Sequence, residues 1–299
     1  MQQRMAAAMM RKRAAAKANK DVDLDALVAT GPTGAYEALQ LYRSRAIKKK
    51  TKGEFMGAVK VLADGACCLL KHTFTTAGAE LATLLVEMVD EEHKDLDADL
   101  RSTLYAVDDS FDPKSPQKVE FLKGCVKWTV SSGSRENGDP AFHVRLANCL
   151  WANGDTKNAY SHFAAGEAPE ELVQRLEDTY PNSNQLEPKV RGLTLGVLHF
   201  LALENLRDAN DLMDNFNRRQ KAKGGKPPKA ELLTFLDYLL QTCRRDAQPL
   251  FKTLVTKYAS DLDFDETAPA LLMGPIGQRL FGIAPKVNPM MSMLQNMLN

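Results

Sequence analysis

The chain has 299 residues, of which 44% are hydrophobic and 26% charged, and this composition is typical of a globular protein with a sizeable core. Its 39 basic and 38 acidic residues leave a net charge of +1, so no bulk field favours nucleic acid or a membrane surface. No apolar run reaches the ~18 residues that a membrane-spanning helix needs, and the first residues lack a secretory hydrophobic segment.

The charge is uneven at the start of the chain. Residues 1–20 carry six basic and no acidic side chains, so the remaining residues sum to 1 − 6 = −5. This composition predicts a disordered basic tail over residues 1–22. The cysteines are odd in number and scattered, which predicts free thiols in a reducing compartment rather than disulfides. They are Cys67, Cys68, Cys125, Cys149 and Cys243.

Apolar residues follow the helical period along almost the whole chain, and no segment alternates convincingly like a strand. Ser115 and Asp155 are predicted N-caps. Pro275 makes two short helices an alternative for the last segment. The predicted helices span residues 34–50, 54–71, 75–92, 96–108, 115–132, 140–152, 155–165, 168–180, 187–203, 206–221, 229–243, 247–259 and 265–282.

Helices of this length joined by short turns predict an all-α fold, an α-solenoid of stacked antiparallel helix pairs in a single right-handed superhelix. A weak internal repeat supports the solenoid and is similar to tetratricopeptide packing, although it is too degenerate for a true repeat. Its two copies place Gly53-Glu54 before Ala58 and Leu62, and Gly154-Asp155 before Ala159 and Phe163.

The chain contains no phosphate loop, nucleophile elbow, dinucleotide fingerprint or His-Glu-x-x-His motif. His143 and His162 flank a predicted hairpin, where packing is favoured over metal binding because no Cys or carboxylate has fitting spacing. The acidic pairs at residues 91–92 and 108–109 fall at helix ends or loops, which favours solvated charge over acid–base catalysis. We therefore expect no enzymatic activity, no cofactor and no metal.

The segment 276–286 predicts the end of the helical stack. Ile276, Leu280 and Phe281 share one apolar stripe, Gly282 can end the helix in a left-handed turn, and Pro285 stops it. This Gly-Gln-x-x-Phe-Gly-x-x-Pro-Lys pattern closely resembles a C-terminal element of the Golgi-to-ER traffic protein 4 family, a helical adaptor in the targeting of tail-anchored membrane proteins.

A central stretch is similar to the same family in the order and spacing of its motifs. From the residues themselves, Trp128 and Trp151 are predicted core anchors of stacked helices. The motifs are Lys-Trp at 127–128, Gly-Asp-Pro at 138–140, Leu-x-x-x-Leu at 146–150 and Tyr-Ser-His-Phe at 160–163. The resemblance covers residues 34–286.

The resemblance implies two partners, the first being the targeting ATPase of the pathway. The acidic pair of the family's docking helix matches Glu80 and Glu87, whose spacing of about two turns points both carboxylates the same way. Tyr36 matches a family aromatic. Lys48 stands where relatives carry Arg, which keeps the charge but loses the bidentate geometry. A solvated helix face is the alternative interpretation of these charges.

The second implied partner is a ubiquitin-like cochaperone, held by the C-terminal half. The helix at 229–243 carries more apolar residues than one stripe requires, which indicates burial on more than one side. The predicted interface residues are Leu233, Phe235, Tyr238, Leu239 and Phe281. A core position is the alternative for most of them. In some relatives a larger scaffold chaperone joins the complex.

We interpret the chain as a non-enzymatic cytosolic adaptor that bridges these two partners, without nucleic-acid binding or membrane insertion. The alternatives are a helical scaffold subunit of another multiprotein complex and a helical hydrolase whose site the sequence does not reveal. The predicted organisation is a basic tail over 1–22, an ATPase-docking half over 23–165, a cochaperone-binding half over 166–286 and a flexible Met-rich tail over 287–299.

Overall fold

The computed structural model describes residues 23–92, 95–133, 135–182, 185–222, 230–264 and 269–284, and these residues form helices and turns without any strand. The predicted tails at 1–22 and 287–299 lie outside them. The helices of the described residues are α1 Leu24–Ala29, α2 Pro32–Thr51, α3 Phe55–Lys71, α4 Thr75–Glu91, α5 Ala98–Ser110, α6 Pro116–Ser131, α7 Pro140–Ala152, α8 Thr156–Ala165, α9 Pro169–Thr179, α10 Leu186–Ala202, α11 Leu206–Ala222, α12 Glu231–Arg244, α13 Gln248–Lys257 and α14 Pro269–Phe281.

Local sequence signals set most helix starts. Proline is the first residue of α2, α6, α7 and α9. At this position a backbone N–H would have no carbonyl partner within the helix, so its absence costs little. The predicted cap at Asp155 is confirmed, because its carboxylate accepts a hydrogen bond from the amide of Asn158. Ser115 stands at the start of α6, but its hydroxyl donates to the side chain of Gln117 instead of capping the backbone.

The two ends of the described chain compare differently with the predicted helices. The six-residue helix α1 was not predicted, because so short a segment shows barely two helical periods. At the other end α14 runs through Pro275 as one helix, as in the predicted span 265–282, and the alternative of two short helices is not observed. Met273, Ile276 and Phe281 are buried on either side of the proline, so core packing holds both halves of α14 and compensates for the missing hydrogen bond.

The helices divide into two compact units, unit 1 up to Phe142 and unit 2 from His143. The division falls inside α7, whereas the sequence analysis placed its boundary after residue 165. In unit 1, α3 packs against α2, α4 and α5, and α4 packs against α6. Phe121, Cys125 and Trp128 of α6 are buried as their helical spacing predicted.

A close approach of three helices fixes the packing of unit 1. Gly65 lies in α3, and a Cβ atom added there would come within 2.5 Å of Cγ of Tyr42 on α2 and 2.7 Å of Cδ1 of Leu81 on α4. Side chains at these distances cannot coexist without a shift of the helices, because protein cores are close-packed.

Gly65→Ala will therefore lower the free energy of unfolding by about 1–3 kcal/mol, the usual cost of overpacking a core. Gly57→Ala is the matched control in the same helix. Its added Cβ would meet only the flexible end of Lys49, 3.1 Å away, and an alanine in a helix interior gains about 0.5–1 kcal/mol over glycine. Urea unfolding of both variants checks the prediction, and equal midpoints would contradict it.

Unit 2 is arranged around α10, which packs against α8, α9, α11, α12 and α14. Eleven residues of this helix are buried, so it is enclosed on most sides rather than on a single stripe. Gly192 and Gly196 lie against Leu176, Tyr160 and Leu172, which allows the neighbouring helices to approach closely. The central position of α10 agrees with its nearly continuous apolar sequence.

The end of α14 closes the described part of unit 2 as the sequence predicted. Gly282 has a φ of +61°, the left-handed conformation that ends a helix. The ring of Phe281 packs on Phe251 of α13 at 4.7 Å between centroids. Gln248 Nε2 donates to the carbonyl of Phe281 at 3.0 Å, and Arg279 Nη1 donates to the carbonyl of Ala202 at 2.9 Å. These contacts hold the end of α14, within the signature segment 276–286, against α13 and α10.

His199 makes the stability of unit 2 dependent on pH. Its ring stacks on Tyr160 at an interplanar angle of 3°, and burial lowers its pKa from 6.5 to about 4. The folded state therefore favours the neutral ring. The stability that depends on neutral His199 is fully present above pH 6.5 and is lost as the pH falls towards 4. One pH unit in this window corresponds to about 1.4 kcal/mol.

We expect the free energy of unfolding of unit 2 to fall by about 2 kcal/mol between pH 7 and pH 5 through His199 alone, because protonation is linked to folding. His199→Gln removes the titrating ring and should flatten this part of the pH dependence. Urea unfolding of both proteins at the two pH values measures the difference. An equal loss in the variant would show that other groups cause it.

Two predictions about titratable residues have different outcomes. Asp108 was expected to be solvated, and this is wrong, because its side chain is 2% exposed and forms an ion pair with Lys118 at 3.2 Å. Burial without that partner would be costly, which explains the pairing. His143 and His162 do pack together, with 2.8 Å between their Nδ1 atoms.

Candidate partner-binding surfaces

Charged side chains of unit 1 line one face of two neighbouring helices, here named the α2–α4 face. It consists of Arg43 and Lys50 on α2 and of Glu80, Glu87 and Glu91 on α4. Arg43 Nη1 lies 2.9 Å from Glu80 Oε1, and Lys50 Nζ lies 2.9 Å from Glu91 Oε2. Residues seven or eleven apart return to the same side of a helix with ~3.6 residues per turn, so both sets form stripes.

The predicted acidic pair lies on this face as expected. Glu80 and Glu87 are both exposed on the same side of α4. They differ in their surroundings, because Glu80 is paired with Arg43 whereas Glu87 has no ion-pair partner among the described residues. Exposed pairs of this kind contribute only about 0–1 kcal/mol, so a partner can displace Arg43 at small cost.

Tyr36 and Lys48 occupy different sides of α2. Tyr36 is 64% exposed and shares the stripe of Arg43 and Lys50, together with the half-exposed Ile47. Lys48 is exposed but lies about 120° around the helix from Tyr36, since each residue advances by ~100°. The structure therefore places Tyr36 beside Arg43, a residue that the sequence analysis missed. The spacing of seven between Tyr36, Arg43 and Lys50 was the available signal.

The predicted interface residues of unit 2 fall mostly in its core. Leu233, Phe235, Leu239 and Phe281 are at most 9% exposed, whereas Tyr238 is 48% exposed. The reason is the helical period, since Phe235 and Leu239 are one turn apart on the side of α12 that faces the core. Tyr238 is thus the exposed member of the set, and the four other side chains belong to the core.

Unit 2 also has exposed apolar residues that the sequence analysis did not select. Leu250 of α13 and Leu271 of α14 are 53% and 72% exposed. In the sequence, both residues are apolar but lie outside the buried stripe of their helix. Single exposed apolar residues of this kind are common, so they did not indicate a binding surface. Large exposed apolar side chains favour contact with another molecule only where several occur together.

A groove of about 670 Å³ lies between the starts of α10 and α12 and the segment after α13. Its lining mixes apolar and charged side chains, including Val190, Arg191, Glu231, Leu232, Asp261 and Phe264. The guanidinium of Arg191 stands over the ring of Phe264 at 5.3 Å. The groove explains the excess of apolar residues at the start of α12, because Leu232 faces the groove while Leu233 is buried.

The two units present exposed surfaces of different chemistry. The α2–α4 face presents paired charges flanked by an exposed tyrosine, and the surface of unit 2 presents apolar side chains and a mixed groove. Among the described residues, no helix has the length and apolarity that crossing a bilayer requires. Charged stripes chiefly direct association and specificity, whereas buried aromatic and aliphatic groups supply most of the affinity.

Known proteins resemble the chain over most of its length. The family model of Golgi to ER traffic protein 4 matches residues 52–298. Protein GET4 of Arabidopsis thaliana is 28% identical, covering 86% of this chain and 88% of the relative. The Golgi to ER traffic protein 4 homolog of Homo sapiens is also 28% identical, covering 84% of this chain and 76% of the relative.

The fold agrees with that of a solved relative. The crystal structure of C. therm. Get4 superimposes with a TM-score of 0.75 at 25% identity, covering 92% of this chain and 93% of that one. The all-α solenoid class predicted from the sequence is thereby confirmed. The matched residues include most of the helices of both units and the signature segment at 276–286. The chain therefore belongs to the Golgi to ER traffic protein 4 family.

Proposed function

We propose that the chain is a non-enzymatic adaptor in the post-translational targeting of tail-anchored membrane proteins to the ER, acting in the cytosol. It would bridge the targeting ATPase of this pathway and a ubiquitin-like cochaperone. The observation that carries the proposal is the family match over residues 52–298, which includes unit 2 and unit 1 from α3 onwards. Each unit has its own exposed surface, and a bridging protein needs two.

Unit 1 is the proposed docking site of the ATPase. Glu87 is exposed and unpaired among the described residues, so it can accept a basic side chain of the partner without breaking an existing contact. Glu80 can do the same once Arg43 is displaced. Tyr36 adds an exposed aromatic ring on the same side of unit 1, and Lys48 extends the contact around α2. Tyrosine is among the residues that most often dominate binding energy.

Unit 2 is the proposed site of the ubiquitin-like cochaperone. Tyr238 is the exposed member of the predicted set. Leu233, Phe235 and Leu239 are buried on α12, and Phe281 is buried at the end of α14. The groove beside the start of α12 has a volume of about 670 Å³, which leaves room for part of an extended segment of a partner. Its mixed lining suits a peptide with both apolar and charged side chains.

The mechanism that follows is proximity. When one protein holds the ATPase and the cochaperone together, transfer of a client between them becomes an intramolecular step with an effective concentration in the millimolar range for short tethers. No covalent chemistry is required of the adaptor. A larger scaffold chaperone would extend the same assembly, with neither nucleic acid nor direct membrane insertion involved.

Analytical size-exclusion chromatography of the full-length chain with both partners tests the proposal. We expect a ternary complex, and we expect Tyr238→Asp to release the cochaperone while the ATPase stays bound. Val130→Asp is the matched control, because Val130 is an exposed apolar residue of unit 1, 42% accessible. Competition between the two partners, or binding of neither, would overturn the bridging role and favour a helical scaffold of another complex.

A further inference from the structure

Three side chains with different metal-binding atoms converge in unit 1, away from the α2–α4 face. Asp25 stands in the first turn of α1, and Cys68 and His72 stand one turn apart at the end of α3. Cys68 Sγ lies 3.3 Å from Asp25 Oδ1, and His72 Nε2 lies 3.4 Å from the same oxygen. The three ligand atoms are all within 4.8 Å of one another.

These distances fit the edges of a coordination tetrahedron. Bonds of about 2.3 Å from zinc to sulfur and about 2.0 Å to oxygen or nitrogen give ligand separations of about 3.5 Å for S···O and about 3.3 Å for N···O. The observed separations of 3.3 and 3.4 Å differ from these values by about 0.2 Å or less. Asp25 Oδ1 therefore already lies at ligand spacing from both Cys68 and His72, and Cys68 Sγ and His72 Nε2 are within 4.8 Å of each other.

The identity of the ligands selects the metal. A thiolate and an imidazole are poor ligands for Mg²⁺ and Ca²⁺, which prefer oxygen, whereas Zn²⁺ accepts sulfur, nitrogen and oxygen in one tetrahedral site. We propose that Asp25, Cys68 and His72 form a Zn²⁺ site whose fourth position is taken by water. On binding, the Cys68 thiol gives its proton to solvent and the imidazole binds through Nε2 with its proton on Nδ1.

The surroundings allow an ion to reach the three ligands. The side chains of Asp25 and His72 are 73% and 34% exposed, while Cys68 is buried behind them. A pocket of about 390 Å³ opens beside Asp25 and is lined by Tyr42 and Asp64 among others.

The site would serve to hold α1 in place. A helix of six residues is far below the ~12–15 residues at which isolated helices become marginally stable, so α1 depends on contacts with the rest of unit 1. Zinc shared between Asp25 of α1 and two residues of α3 would cross-link these helices. This role is independent of the proposed bridging of two partners.

Titration of the full-length protein with Co²⁺, and by calorimetry with Zn²⁺, tests the site. We expect one equivalent of Co²⁺ to give a thiolate-to-cobalt charge-transfer band and the strong visible bands of tetrahedral cobalt. Asp25→Asn and Cys68→Ser should each weaken Zn²⁺ binding by more than about 100-fold, beyond the loss typical of an outer-shell residue. Zn²⁺ should also raise the Tm of the wild-type protein.

Cys67→Ser is the matched control, because the neighbouring Cys67 donates to the carbonyl of Ala106 and is not part of the cluster. It should leave the spectrum and the affinity unchanged. The proposal is overturned if Co²⁺ gives no charge-transfer band, or if Asp25→Asn and Cys68→Ser bind Zn²⁺ as tightly as Cys67→Ser does. Because Asp25 is largely exposed, its asparagine variant keeps the test valid even if Cys68→Ser fails to fold.

Discussion

Replacing Lys189 by alanine will lower the free energy of unfolding of unit 2 by about 3–5 kcal/mol, the cost of leaving a buried charge without its partner. Lys189 Nζ lies 3.2 Å from Glu177 Oε2, and the two side chains are 4% and 9% exposed. Gln220 donates a further hydrogen bond to Glu177 at 3.0 Å. Without the lysine, the Glu177 carboxylate stays in the interior and loses this ion pair.

Arg191→Ala is the matched control for this prediction. Arg191 forms an ion pair with Glu187 on the surface of the same helix, and its side chain is 42% exposed. Exposed pairs four residues apart stabilise a helix by about 0.3–0.5 kcal/mol. The contact of Arg191 with the Phe264 ring adds about 0.5–1 kcal/mol, so this variant should lose much less stability than Lys189→Ala. Urea unfolding followed by circular dichroism measures both, and similar losses in the two variants would contradict the prediction.

A double variant separates the charge from the packing. If Lys189→Met is combined with Glu177→Leu, no uncompensated charge remains and most of the lost stability should return, because apolar replacements of buried ion pairs are often neutral or stabilising. Failure to recover would mean that the pair contributes through its geometry, for example through the hydrogen bond from Gln220.

Reversing both acidic charges, with Glu80→Lys and Glu87→Lys, will weaken binding of the targeting ATPase by about 10- to 100-fold at low salt, where charge contacts are least screened. The cochaperone should bind as before, since its proposed site lies in unit 2. Both carboxylates are exposed on one side of α4, so a basic surface of the partner would meet two repelling charges instead of two attracting ones.

The control for the charge reversal is Glu120→Lys with Glu136→Lys. Both residues are exposed in unit 1 outside the α2–α4 face, and the pair changes the net charge by the same amount. Binding measured by surface plasmon resonance at two salt concentrations distinguishes a local contact from a general charge effect. Unchanged ATPase affinity in the Glu80/Glu87 variant at low salt would refute the assignment.

The helices were largely predictable because their signals are local. Proline at residues 116, 140 and 169 and the Asp155 cap fix helix starts within one turn, and Gly282 fixes the last end. Periodicity also placed Trp128 in the core. It failed for α1, which is too short to show a period. At Pro275 the predicted single helix is observed, because burial of the flanking residues outweighs the local preference to break the helix.

The sites were less predictable because their contacts join distant parts of the chain. The family resemblance predicted that Glu80 and Glu87 lie together on one helix. It did not predict the ion pair between Glu80 and Arg43, because these residues are 37 positions apart in the sequence. It also assigned Phe235 and Leu239 to an interface, although both are fully buried. Helical spacing tells which residues share a side, and it does not tell which side faces the core.

By itself, the sequence determined that this protein is a stack of helices from a known family, because the helical period, caps and signature motifs depend on neighbours within a few turns. Only the tertiary structure decided which charges are buried and paired. Lys189 and Arg191 are two residues apart in one helix, yet one is enclosed with Glu177 and the other is exposed to water. Likewise, Asp25 meets Cys68 and His72 only because α1 packs beside α3, and burial and proximity of this kind arise from packing between helices.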